Sequence, residues 1–143
     1  MTYKIRIGAD PELFVFSKTT GLPVSAHDLI PGTKDNPFIV PNGAIQVDGV
    51  AAEFNINPAE TLDEFHANLF EVKKALWKAV RAKNADYVLK AFPAVSFTKK
   101  IWDKIPEEAK QLGCTPDWNA YTLQPNPAPN AKQMMRTGSG HIH

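Results

Sequence analysis

Apolar and polar residues alternate from the start of the chain, and the alternation predicts one long strand over residues 3–16. Tyr3, Ile5 and Ile7 alternate with Lys4, Arg6 and Gly8; Asp10 and Glu12 then alternate with Leu13 and Val15 across Pro11. Pro11 has no N–H for a ladder, which marks an edge strand or a bulge. Thr19-Thr20-Gly21 reads as a turn and Leu22 to Ala26 as a short return strand. Residues 27–43 read as loop, punctuated by Pro31-Gly32, Asn36-Pro37 and Asn42-Gly43.

The clearest local signal lies in residues 44–57. Asp48-Gly49 predicts a type I′ hairpin turn that pairs Val47 with Val50 and Ile45 with Ala52. Ile45, Val47, Val50, Ala52, Phe54 and Ile56 then share one face, and Gln46, Ala51, Glu53, Asn55 and Asn57 the other. Thr61-Leu62-Asp63-Glu64 has the form of a capping box. Leu62, Phe65, Leu69, Val72, Leu76 and Val80 follow at helical spacing, so a helix should run to about Lys83 and cover the apolar face of the hairpin. Residues 87–98 read as a strand interrupted at Pro93, Pro106 to Leu112 as a short helix stopped by Gly113, and 113–136 as a long ordered loop. Thr137 to His143 reads as a glycine-rich approach to a last strand. These elements predict an α+β fold: a twisted antiparallel sheet with a principal helix packed on one face.

The length of 143 residues suits a single domain over 1–143. No apolar run is long enough to span a membrane, and no apolar leader precedes the first strand, so the expectation is a cytoplasmic protein. Cys114 stands alone, which excludes an internal disulfide and a cysteine-based zinc knuckle. No activating histidine lies near it in sequence, so a catalytic thiol is disfavoured. Sixteen Lys and Arg against fifteen Asp and Glu leave a net charge of +1, which argues against a dedicated nucleic-acid binder.

Three polar i, i+2 pairs stand out: Asp10 with Glu12, Glu53 with Asn55, and His141 with His143. Residues i and i+2 of a strand point to one side. In the first two pairs the opposite face is apolar and meets the helix, so all three are expected on the helix-free face of one sheet. Alone, a D-x-E on a strand is ordinarily a solvated face, and a terminal His-Ile-His an exposed strand or a tag remnant. Together they would repel or desolvate badly unless a cation sat among them. Oxygen-rich ligation with one or two imidazoles suits Mg²⁺ or Mn²⁺ better than Zn²⁺, and such a site mostly serves phosphates. Lys34 offers a point charge for a phosphate, with a plain surface turn as the alternative. Arg136 precedes Thr137-Gly138-Ser139-Gly140, where backbone amides approach an anion, although no Walker loop is present. Trp77, Trp102 and Trp118 suit packing better than base stacking.

Four motifs occur in order: Gly8-Ala9-Asp10-Pro11-Glu12; Gln46 through Asn55; Gly113-Cys114 with Asp117 and Asn119-Ala120-Tyr121; and Arg136 through His143. Over nearly the whole chain they resemble the phage-type carboxylate–amine ligases (COOH–NH2 ligase type 2) of the glutamine synthetase-like superfamily. The resemblance implies an antiparallel sheet curved around ATP and divalent metals. It implies an enzyme that phosphorylates a carboxylate with ATP and lets an amine displace the phosphate, giving an amide or peptide bond. Carried onto this sequence, Asp10, Glu12, Glu53 and His141 would hold Mg²⁺ or Mn²⁺. Glu53 and Arg136 would serve the chemistry. His143, Arg136 and Ser139 would face the nucleotide, with Lys34, outside these motifs, added to them from its position alone, and Asn55, Asp117, Asn119 and Tyr121 would line the site for small-molecule or peptide substrates. Family members continue past the glycine-histidine strand. The resemblance therefore implies that these residues form the N-terminal part of the fold, with another segment, a second chain or a homo-oligomer partner closing the site. The rival expectation is a non-catalytic, truncated ligase-fold module used for binding or assembly. No nucleic acid and no membrane are expected as partners.

Overall fold

The strand predicted over residues 3–16 is regular only from Glu12 onward. In the computed structural model, which describes residues 4–111, 118–125 and 133–143, strand β1 spans Glu12–Ser17. Pro11 interrupts the ladder because it has no N–H. Upstream, Ile7 and Ala9 make single bridges to Ala59 and Ile142. The backbone nonetheless stays extended: the carbonyls of Ala9 and Pro11 accept from the N–H groups of Ile56 and Phe54.

The return strand is short, β2 at Pro23–Val24. The stretch read as loop contains a strand, β3 at Phe38–Val40, between Pro37 and Pro41. It lies at the sheet edge, where flanking prolines interrupt no ladder on the outer side. The hairpin forms from β4, Gly43–Asp48, and β5, Ala51–Ile56. Its turn is one residue later than Asp48-Gly49. Asp48 pairs with Ala51, Val47 with Ala52 and Ile45 with Phe54, so Gly49 and Val50 are the two turn residues. Gly49 takes φ 56° and Val50 does not share the positive sign, the pattern of a II′ turn rather than I′. The faces survive this correction because the pairing moves by two positions in total. Ile45, Val47, Ala52, Phe54 and Ile56 still share a side; Val50 leaves it for the turn.

Helix α1 spans Leu62–Lys83. Thr61 Oγ1 accepts from the Glu64 N–H at 3.2 Å, and Glu64 Oε2 accepts in return from the Glu60 N–H at 2.8 Å. The reciprocal bond thus closes one residue ahead of the cap. Thr61→Ala should cost about 1 kcal/mol, seen as a fall of roughly 3 °C in Tm; an unchanged Tm would show that the Glu64 bond carries the cap. Val72, Leu76 and Val80 are fully buried, whereas Leu62 is exposed and drops out of the predicted stripe. Asn68 joins the buried face by donating to the Asn57 carbonyl at 3.0 Å.

Residues 87–98 are two strands in two sheets, not one interrupted strand. Strand β6, Tyr87–Lys90, pairs with β1, while β7, Ala94–Ser96, pairs with β8, Met135–Thr137. The sheet order is β2-β1-β5-β4-β3 with β6 added to β1, and every pairing is antiparallel. Two short helices follow β7: α2 at Lys99–Trp102, which the pattern does not predict, and α3 at Glu107–Lys110, inside the predicted 106–112 span. Leu112, Gly113, Cys114 and half of the expected long loop lie outside the described residues.

The fold is therefore α+β, an antiparallel sheet with a helix packed on it. The core between sheet and α1 contains Val15, Ile45, Ala52, Phe54, Ile56, Val72, Leu76 and Val80. A second core lies on the opposite face, where Phe14, Phe16 and Ala51 meet Val95, Phe97, Trp102, Ile105 and Ala109. The face expected to be free of helices is thus covered at one end by α2, α3 and the β7–β8 ribbon. Only its other end stays polar. No helix among the described residues is long and apolar enough to cross a membrane.

Candidate functional site

The polar end of that face is built from opposed residues on neighbouring strands, which point the same way. Gln46 opposes Glu53, and Glu53 opposes Glu12. The same register places Asn55 opposite Asp10. On the outer flank of β1, residues 139–143 run antiparallel to 8–12: the N–H groups of Gly8, Asp10 and Glu12 donate to the carbonyls of His143, His141 and Ser139. One row thus reads Gln46, Glu53, Glu12, Ser139, and the next Ala44, Asn55, Asp10, His141. Neighbouring strands lie about 4.8 Å apart, so four strands gather these side chains within a small area.

Two carboxylates are engaged with the outer segment. Asp10 Oδ1 accepts from the His141 N–H at 2.8 Å, and Glu12 Oε2 accepts from the Ser139 N–H at 2.8 Å. Each side chain takes a bond that the strand's own carbonyl would take in a regular ladder. His141 Nδ1 also lies 3.3 Å from Asp10 Oδ1. The exposed His143 ring lies over Gly8, 3.2 Å from where a β-carbon would be, so the glycine makes room for the imidazole.

Glu53 is different: it is 9% exposed and is held by Gln46 Nε2, which donates to its Oε2 at 2.9 Å. Burial raises its carboxyl above the ordinary value of 4.5; the Gln46 bond pulls it back, and the negative charges of Asp48, Glu12 and Asp10 push it further up.

The phosphate-facing expectations fare unevenly. A cleft of about 230 Å³ is lined by Glu12, Lys34, Asp48, Arg136, Ser139 and His141, among others. Lys34 stands there, 3.8 Å from Asp48 Oδ2. Arg136 is 5% exposed and held from within the protein. Its Nη1 donates to the Gln133 and Met135 carbonyls at 2.7 and 2.6 Å, and its Nη2 to the Lys110 carbonyl. The guanidinium lies 4.5 Å from the Trp102 ring centre, and burial lowers its pKa. These bonds tie β8 to α3, and the remaining Nε is buried with no acceptor among the described residues.

Asn119 and Tyr121 do not line the cleft. Asn119 Oδ1 accepts from the N–H groups of Tyr121 and Thr122, a local turn, and Tyr121 is 98% exposed. Asp117 lies outside the described residues. Gln46, which alternation places on this face, and Asp48, two residues on, are given no role by the second motif that contains them, yet both belong to the polar face. Their i, i+2 spacing beside Glu53 was a usable signal.

Donor chemistry fits a hard cation, since Asp10, Glu12, Asp48 and Glu53 offer carboxylate oxygen and Gln46 and Asn55 carboxamide oxygen. The buried Gln46 Oε1, with no donor among the described residues, is an orphaned acceptor in the same row. Arrangement fits less well: among the described residues no three His, Cys, Asp or Glu side chains already form a cage. Asp10 and Glu12 would have to turn from the amides they now cap. Neither the protein-family models nor the curated proteins contain a match to this chain.

Proposed function

We propose that the protein is an ATP- and Mg²⁺-dependent carboxylate–amine ligase, in keeping with its resemblance to the phage-type family. The carrying observation is the shared face: Glu53, Glu12, Asp10 and Asn55 lie in two adjoining rows, bordered by the glycine-histidine segment. A divalent ion bound there would neutralise phosphate charge during transfer to a carboxylate. The chain's own residues have separate tasks. Glu12 and Asp48 supply the cleft's negative wall, with Glu53 and Asp10 beside Glu12 on the same sheet face. Lys34 supplies positive charge across the cleft, and Arg136 adds its charge from a guanidinium held within the protein. Ser139 and the neighbouring backbone keep the glycine-histidine segment close to β1. Asn55 and His143 lie further along the same face, outside the cleft's lining, where substrate and nucleotide would extend.

One observation favours the rival, a non-catalytic ligase-fold module. The cleft of about 230 Å³ is smaller than the roughly 300–1,000 Å³ usual for small-molecule sites, and two carboxylates are spent on backbone amides. Calorimetry of the 143-residue chain with Mg²⁺-ATP separates the two. The ligase reading expects weak binding, with a Kd near about 1 mM, abolished by Glu53→Gln. Adding a segment or chain that closes the site should then restore ATP turnover dependent on a carboxylate. Failure of every acid and amine in a broad panel to stimulate turnover would favour the module. Efficient ligation by the chain alone would mean that copies of it close one another's sites.

A further inference from the structure

Gln46 carries a carboxamide that is buried, half-satisfied and fixed beside a carboxylate. The residue is 6% exposed. Its Nε2 donates to Glu53 Oε2 at 2.9 Å, and its Oε1 is sealed from solvent with no donor among the described residues. A buried acceptor left without a partner is costly, and native folds rarely keep one without use. Turning the amide over does not cure it. The flip would set Gln46 Oε1 against the Glu53 carboxylate, two acceptors with no proton between them.

A cation placed between the two side chains would take Gln46 Oε1 and the Glu53 carboxylate together, with Nε2 turned into the position that Oε1 now holds. The surroundings suit it. Asp48, two residues along β4, points to the same face with its side chain 17% exposed, and Glu12 lies across β5 from Gln46. Carboxylates with a neutral carboxamide oxygen form a hard donor set, the kind taken by Mg²⁺ and Mn²⁺. The neutrality of Gln46 also matters. A glutamate there would add another negative charge beside Glu53, Asp48 and Glu12 whenever the ion is absent, whereas glutamine ligates without that repulsion.

We infer that Gln46 is itself a ligand of the divalent cation held by Glu53, its carboxamide turned so that Oε1 meets the ion on the β4–β5 floor. This rests on the cation half of the proposed function and is independent of nucleotide and of ligation. The ion's seat then begins on the central hairpin, with Glu12 reaching it from β1. Asp10 and His141, engaged with each other one row away, stand further out.

Manganese titration without nucleotide, followed by the electron paramagnetic resonance of free Mn²⁺, tests this on the intact chain. Wild type should bind Mn²⁺ and Glu53→Gln should lose it. Gln46→Leu removes both the oxygen and the Nε2 donor and should weaken binding on the order of tenfold. Gln46→Glu keeps an oxygen and removes the donor; it should bind at least as tightly as wild type. Circular dichroism shows whether each variant folds, and Gln46→Glu keeps the test open should Gln46→Leu fail to fold. Equal affinity in wild type and Gln46→Leu would overturn the inference while leaving the cation reading intact. Weakening of Gln46→Glu to the level of Gln46→Leu would reduce Gln46 to a positioning residue for Glu53. No Mn²⁺ binding by wild type, or binding untouched by Glu53→Gln, would remove the cation from this face altogether.

Discussion

Replacing Phe14 with alanine is expected to lower stability by about 3–5 kcal/mol and to loosen the segment that carries Ser139 and His141. Phe14 is completely buried and is the largest such side chain among the described residues. It fills the second core with Val50, Ala51, Val95, Phe97 and Trp102. Its ring also supports the backbone of Gly138: a β-carbon there would come within 2.6 Å of Phe14 Cε2. Gly138 is glycine because the chain must lie flat on that ring before it turns along β1. Emptying the ring removes buried apolar area and leaves a cavity under the first residue of the glycine-histidine segment. A domain of this size has about 5–15 kcal/mol in all, so the loss is a large fraction. Denaturant unfolding reads the stability. Hydrogen exchange at the Ser139 and His141 amides, now held by Glu12 and Asp10, reads the local effect. A loss under about 1 kcal/mol would mean that the second core collapses around the gap. Unchanged exchange at those amides would mean that Phe14 does not support the segment.

The sequence pattern was most legible where one short-range rule decides the outcome. Thr61 caps α1 as its spacing predicts, and the buried stripe of Val72, Leu76 and Val80 follows from helical period alone. The two faces of the β4–β5 hairpin were also legible, because alternation is a parity. The position of the turn was not, since a shift of two preserves parity. It is set by tertiary packing: Val50 is 2% exposed in the second core, and Gly49 lies against the carbonyls of Ala109 and Gln111. Residues 87–98 divide between two sheets for a similar reason. Pro93 was visible, but not that β7 would find its partner in β8, some forty residues away, rather than extend β6. In the candidate site, three strand pairs could be assigned to a common face from period alone. The direct opposition of Gln46 and Glu53 needed the true register. The internal use of Arg136 needed Trp102 and three backbone carbonyls, none of which a motif can announce.

Glu53→Gln should stabilise the metal-free fold near neutral pH while removing its response to divalent cations. Glu53 titrates above the ordinary carboxyl value of 4.5 in the folded protein, chiefly through burial and against the pull of its Gln46 bond. The folded state therefore holds this proton more tightly than the unfolded chain. Its contribution to stability is fully present below the ordinary carboxyl range and is lost as pH rises through the folded pKa. Each pKa unit of difference costs about 1.36 kcal/mol once both states are ionised. Glutamine has the same shape and no charge, so the variant should match wild type at pH 4 and melt higher at pH 7. Millimolar Mg²⁺ should reverse the order. Binding to the folded state alone adds RT ln(1 + [L]/Kd), about 2.7 kcal/mol at a hundred times Kd, and wild type should gain it where Glu53→Gln gains little. Melting curves at pH 4 and pH 7, with Mg²⁺ and with chelator, supply the four comparisons. A variant that melts lower at pH 7 in chelator would show that the ionised carboxylate is already satisfied by the protein. An equal Mg²⁺ shift in both proteins would place the ion elsewhere. The expected crossing of the two curves is what a buried carboxylate produces when its negative charge is held for a cation.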